Sequence, residues 1–297
     1  MKDFPSCFGE NGVQVADASC TNASATTTVT KASQNLVTNV YQTKLVGKSR
    51  LIIVTWFKNL VGHCFSVEIH DLLGKSLCKL DVKPSIFSKR KGSKSVEVDF
   101  VTIDVYWDLT SCKFGSGPEP IEGFYVGIVC KDDVVLLIGD LKKDVFKKTK
   151  CLSNSMRLLK REHVFGKNVF GTKVQFKDHG QIHDLRIECE AFGLGPGPDE
   201  PRLVVRLDSK IVMQVQHLVW KFRGNCTISV DGLPVEVYWD VHNWLFGSST
   251  GSAVFMFQTC PGFEKSGAFA VDRAMVNPWS CSQSSGFCLT LYAWKSE

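Results

Sequence analysis

The chain has 297 residues, 44% of them apolar and 22% charged, with a net charge of +5. That length and apolar content support a self-sufficient core and exclude general disorder. The longest apolar runs, such as Val134–Ile138, fall far short of the roughly 20 residues that span a bilayer. Met1-Lys2-Asp3-Phe4-Pro5 leads into polar sequence with no apolar signal region, and Lys2 stands where myristoylation needs glycine. A protein of the cytosol or nucleus, neither secreted nor transmembrane, is therefore expected. The 12 cysteines are scattered singly without a Cys-x-x-Cys pair, so neither disulfides, nor a bound metal, nor a cofactor is expected.

Residues 1–35, rich in Ser, Thr, Ala and Asn, read as a mobile arm. From 36 to 141 short runs of alternating, β-branched or aromatic residues recur, among them Leu51-Ile52-Ile53-Val54-Thr55-Trp56 and Val101-Thr102-Ile103-Asp104-Val105-Tyr106-Trp107. Asn59, Gly62, Gly74, Gly92 and the stretch Gly115–Pro120 punctuate them as turns. Such spacing predicts antiparallel β-sandwich or barrel architecture.

Residues 142–167 read as a basic, partly helical connector, because Leu141, Val145 and Phe146 have helical spacing and the strand pattern stops from Leu141 to Glu162. Eight basic residues and one acid lie within 142–161, a net of +7, so the rest of the chain sums to −2. Lys142, Lys143, Lys147, Lys148 and Lys150 form the candidate basic surface.

Residues 168–297 repeat the earlier vocabulary. Val98-Asp99 and Val105-Tyr106-Trp107-Asp108 return as Val230-Asp231 and Val237-Tyr238-Trp239-Asp240 at an offset of 132. His63–Ile69 falls on His183–Cys189 at an offset of 120, and the Gly/Pro-rich stretch Gly193–Pro201 absorbs the difference. Two registered segments in one order point to internal duplication. The expected fold is thus all-β: two related antiparallel sandwich-like or barrel-like modules joined by a short basic helical connector. Period-2 alternation turns Val105, Trp107 and Leu109, with Val237, Trp239 and Val241, toward each core. Tyr106, Tyr238, Asp108 and Asp240 then face water or the seam between modules. The final strand, Phe287–Trp294, is expected to complete a sheet.

The chain resembles a plant family of uncharacterised proteins, domain of unknown function 868. The resemblance rests on Phe4-Pro5-Ser6-Cys7-Phe8-Gly9-Glu10-Asn11-Gly12-Val13, Phe87-Ser88-Lys89-Arg90-Lys91-Gly92-Ser93-Lys94, Arg161-Glu162-His163-Val164-Phe165-Gly166, Trp220-Lys221-Phe222-Arg223-Gly224-Asn225 and Val235-Glu236-Val237-Tyr238-Trp239-Asp240-Val241-His242. It covers nearly the whole chain and departs at Ser85, where relatives carry a large aromatic after Lys-Pro. It implies a plant lineage and brings no reaction, ligand or site residues.

Several constellations invite a chemical reading. Asp240-Val241-His242 sets a carboxylate and an imidazole at i and i+2, hence on one strand face with Tyr238, where His242 could act as general base. No nucleophile elbow accompanies the three, and the first copy has Thr110 in place of His242. Tyr106, Asp108 and Trp244 are the candidate ligand-binding residues. His179 and His183 lack the glutamate of a helical zinc motif. The basic clusters raise an acidic partner or an anionic membrane, and the scarcity of interleaved aromatics argues against nucleic acid. The function these features favour is a non-enzymatic module that binds a small ligand or protein at the inter-module seam. An enzyme built on Asp240 and His242 is the alternative, and a peripheral membrane binder using the connector is a third.

Overall fold

The computed structural model describes residues 36–59, 62–83, 90–115, 117–131, 133–141, 155–178, 180–190, 200–247, 251–259 and 286–295. In the first half, β1 (Leu36–Leu45), β2 (Lys48–Asn59), β3 (Gly62–His70) and β4 (Ser76–Val82) run as an antiparallel meander. A second meander follows, made of β5 (Lys91–Val98), β6 (Val101–Asp108) and, after the short pair β7 (Lys113–Phe114) and β8 (Pro120–Glu122), β9 (Tyr125–Cys130) and β10 (Asp133–Gly139). Next comes β11 (Met156–Gly166). The second half also holds two four-stranded meanders. β12 (Val169–Val174), β13 (His183–Glu190), β14 (Arg202–Leu207) and β15 (Lys210–Val215) form one meander. β16 (Arg223–Val230), β17 (Leu233–Asp240), β18 (Ser252–Thr259) and β19 (Cys288–Lys295) form the other, with the five-residue helix α1 (His242–Phe246) between β17 and β18.

Two-residue turns with positive φ close several hairpins, at Val46-Gly47, Asp99-Phe100, Asp208-Ser209 and Asp231-Gly232. Paired left-handed residues give a turn whose twist matches that of the flanking strands. The two hairpins β5–β6 and β16–β17 then agree residue for residue at an offset of 132. Gly92 lies opposite Trp107 and Lys91 opposite Asp108, as Gly224 lies opposite Trp239 and Arg223 opposite Asp240. The agreement extends past the strands, since Leu109 donates to the Arg90 carbonyl at 2.8 Å and Val241 to that of Phe222 at 2.9 Å. The earlier strands match less closely. Phe65, Val67 and Ile69 of β3 pack inward as do Leu185, Ile187 and Cys189 of β13, but Val54 lies opposite Val67 while Val174 lies opposite His183.

β11 joins the halves. It pairs antiparallel with β1 and parallel with β19, so one nine-stranded sheet runs β16-β17-β18-β19-β11-β1-β2-β3-β4. Among the described residues the sheets are several and mostly antiparallel, and none closes into a barrel. Three expectations change as a result. The strand pattern does not stop through Glu162, because Met156–Gly166 is a strand carrying charged side chains. One pairing is parallel. Val145 and Phe146, on which the helical reading rests, and the lysines from 142 to 150, like Ser85 and residues 1–35, lie outside the described residues.

Register also places the cores. Val37, Glu162 and Leu291 stand side by side across β1, β11 and β19. Neighbours across a ladder point to the same face. Val37 belongs to the core under the β5–β10 meander and Leu291 to the core under the β12–β15 meander, so both cores lie on one face of the large sheet. Trp107 and Trp239 pack inward in their respective cores, as period-2 alternation predicts.

Candidate functional site

The face of β11 that looks between the two cores is polar. Asn39 lies opposite Lys160, which in turn lies opposite Leu289. A register shift between Val40 and Tyr41 then brings Arg157 opposite Tyr41. The bulge turns Arg157 to the face shared by Lys160 and Glu162 and sends Leu158 to the other side with Val40 and Ile53. Lys160 is 8% exposed. Its Nζ lies 2.9 Å from Glu119 Oε2 and 3.2 Å from Glu162 Oε2. Asn39 Nδ2 donates to Glu119 Oε1 at 2.8 Å, and Thr172 Oγ1 donates to Glu162 Oε2 at 2.6 Å. Residues from β1, β11, β12 and the β7–β8 loop thus converge on one buried ammonium. Burial alone would lower the Lys160 pKa, and the two carboxylates outweigh it and raise it. Burial pushes the Tyr41 phenol upward.

Beside this row is a cavity of about 290 Å³. Phe176, Leu233, Pro234 and Phe287 supply much of its apolar wall, with Arg157 on the polar side and Lys177 and Asp178 exposed at the margin. Arg157 Nη2 donates to the Gln175 carbonyl at 2.9 Å, and its guanidinium lies 4.6 Å from the Phe287 ring centroid. Thr259 and Phe287 close the floor by a backbone bond of 2.9 Å, with the Phe287 N–H also donating to Thr259 Oγ1 at 2.8 Å. Mostly apolar walls with a few fixed polar groups are what small-molecule sites share.

At the same end of the second half, His183 is 5% exposed and held at both ring nitrogens. Nδ1 is 2.7 Å from Asp208 Oδ2 and Nε2 is 2.9 Å from Asp231 Oδ2. Asp208 lies in the β14–β15 turn and Asp231 in the β16–β17 turn, so the imidazole ties the two meanders together. Burial alone would lower the His183 pKa, and the two carboxylate partners raise it instead. His63, its sequence counterpart, sits differently. It stacks on Phe114 at 3.6 Å and faces the Pro118 carbonyl at 3.4 Å, and burial lowers its pKa.

The residues singled out from sequence are dispersed. β17 ends at Asp240 and α1 begins at His242, so the two do not share a strand face. Asp240 Oδ1 accepts the His242 backbone N–H at 3.1 Å while Oδ2 takes Arg223 Nε at 2.8 Å. Asp108 does the same with the Thr110 N–H at 3.0 Å and Lys91 Nζ at 3.0 Å. Burial alone would raise the Asp108 carboxyl, and these two partners hold it low. The shared aspartate terminates a strand in both halves. The His242 Nδ1 lies 3.1 Å from Asn243 Oδ1, and the Tyr238 hydroxyl donates to Glu236 at 2.7 Å. Tyr106 is half-buried, and Trp244 is 1% exposed with Lys295 Nζ 4.7 Å from its ring centroid. None of these six lines the cavity. Among the described residues no group of three or more His, Cys, Asp or Glu side chains is placed to hold a metal, and the seven described cysteines are free thiols. Lys142, Lys143, Lys147, Lys148 and Lys150 lie outside the described residues.

Sequence reading missed Asn39, Glu119, Arg157, Lys160, Phe176 and Phe287. The one local signal was Lys160-x-Glu162, opposite charges two apart on one face of a strand. No curated protein and no solved structure matches the chain. The model of one family does match, over residues 32–295, and therefore over both halves and the strand that joins them. The chain belongs to the plant proteins of unknown function grouped as DUF868.

Proposed function

We propose that this plant protein is a non-enzymatic binding module that holds a small ligand in the cavity beside β11. The observation that carries the reading is the cavity of about 290 Å³, with aromatic and aliphatic walls and a single half-buried guanidinium. Support also comes from rigidity: Arg157 is fixed by Gln175 and Phe287, so the site is preorganised on strands. The β5–β6 and β16–β17 hairpins, alike to the turn residue, support an origin by internal duplication. On that reading the two halves diverged mainly in how their first meanders pair, and the cavity belongs to the second.

A thermal-shift screen of plant metabolites, sugars and lipids on the purified full chain tests this. A ligand that binds the folded state alone must raise the melting temperature. Hits should lose their effect in Leu233→Trp, which fills the cavity. A uniformly flat screen would sink the small-ligand reading and leave a protein partner.

A further inference from the structure

The cavity has a sign. Arg157 stays charged at any physiological pH and carries five N–H donors, of which one goes to the Gln175 carbonyl. Among the described residues no carboxylate lies within ion-pair distance of it. A half-buried cation without an anion retains strong attraction for one. Lys177 adds a second positive charge at the margin and Asp178 one negative, so the lining is net positive.

We infer that the cavity takes a small amphiphile bearing a carboxylate, whose head meets the Arg157 guanidinium and whose flat apolar body lies among Phe176, Leu233 and Phe287. This rests on the cavity reading above. The planar fork of arginine matches a carboxylate through two parallel hydrogen bonds. A phosphate is a poorer fit, because its dianion calls for several donors and the mostly apolar wall offers one guanidinium. The Phe287 ring that stacks on Arg157 holds the fork in plane and can extend the apolar surface under the ligand body. A cavity of about 290 Å³ accommodates roughly ten to fifteen non-hydrogen atoms.

The test is calorimetric titration of the full chain with 3-phenylpropanoate and with its neutral isostere 3-phenylpropanamide. The carboxylate should bind about tenfold more tightly than the amide, a difference that one charge-assisted pair supplies. In Arg157→Gln that preference should fall to near parity, and Arg157→Lys should keep part of it. If Arg157→Gln does not fold, salt gives the same answer in the wild type: raising it from about 20 to about 500 mM should weaken the carboxylate and spare the amide. Equal binding of the two probes would overturn the inference and leave the cavity reading standing. Failure of both probes overturns it too, and the neutral members of the wider screen then decide the cavity reading by themselves.

Discussion

An indole fills the space that a side chain at Gly224 would need. A Cβ there would lie 2.5 Å from Trp239 Cζ2, and one at Gly92 would lie 2.9 Å from Trp107 Cζ2. Trp239 is the more firmly fixed, since its Nε1 donates to the Lys221 carbonyl at 2.9 Å. Gly224→Ala should therefore cost about 2–3 kcal/mol by urea unfolding, and Gly92→Ala about 1–2 kcal/mol. Equal or negligible costs would show that the indoles can shift. These glycines could be registered from sequence, and the Trp face could be assigned to the core by alternation. The partners of His183 could not, because Asp208 and Asp231 come from separate turns that only folding brings together. Their effect is measurable through pH. His183 has its pKa raised above the ordinary 6.5, so its contribution is fully present below that value and is lost as pH rises through the raised one. Asp208, held low chiefly by its bond to His183, contributes above the ordinary carboxylate value and loses that contribution as pH falls through the depressed one. Unfolding free energy should decline as pH rises from about 6.5. In His183→Gln that slope should vanish, and an unchanged slope would assign the titration to another group.

At the scale of elements, β11 separates what the sequence disclosed from what it hid. A strand with Arg157, Lys160, Arg161, Glu162 and His163 reads as a solvated connector, because charge normally marks exposure. Here Lys160 and Glu162, on one face, are matched instead of exposed. Lys160 meets Glu119 and Glu162, and on the other face the Trp294 indole donates to His163 Nδ1 at 3.0 Å. Breaking a buried ion group leaves uncompensated charge, which usually costs more than the group contributes when whole. Lys160→Met should lower stability by about 3–5 kcal/mol, and adding Glu119→Gln and Glu162→Gln should restore much of it. Restoration is the informative half, read from urea midpoints of the single and triple variants. A triple variant less stable than the single one would show that the carboxylates have roles of their own.

For the whole molecule, β11 turns two meander pairs into one sheet with both cores on the same face. The β class and the terminal strand that joins a sheet were both legible, because alternation and turn residues are local properties. The union of the halves was not, since a parallel pairing between residues about 130 apart leaves no local trace. The cavity was hidden for the same reason. Met156 and Arg157, the 175–178 turn, Leu233-Pro234 and Phe287 are brought together only by the finished sheet. Of the six residues that drew attention in sequence, Asp108 and Asp240 close strands, Trp244 packs in the core, and Tyr238 and His242 pair with neighbours. The central claim is that the ligand site is the cavity beside β11. Its most direct test is an amide-resolved NMR titration of the full chain with 3-phenylpropanoate. Shift changes should cluster at Arg157, Gln175, Phe176, Leu233 and Phe287 and leave Tyr106, Tyr238 and His242 unmoved. Changes centred on the latter group, or none at saturating ligand, would contradict it.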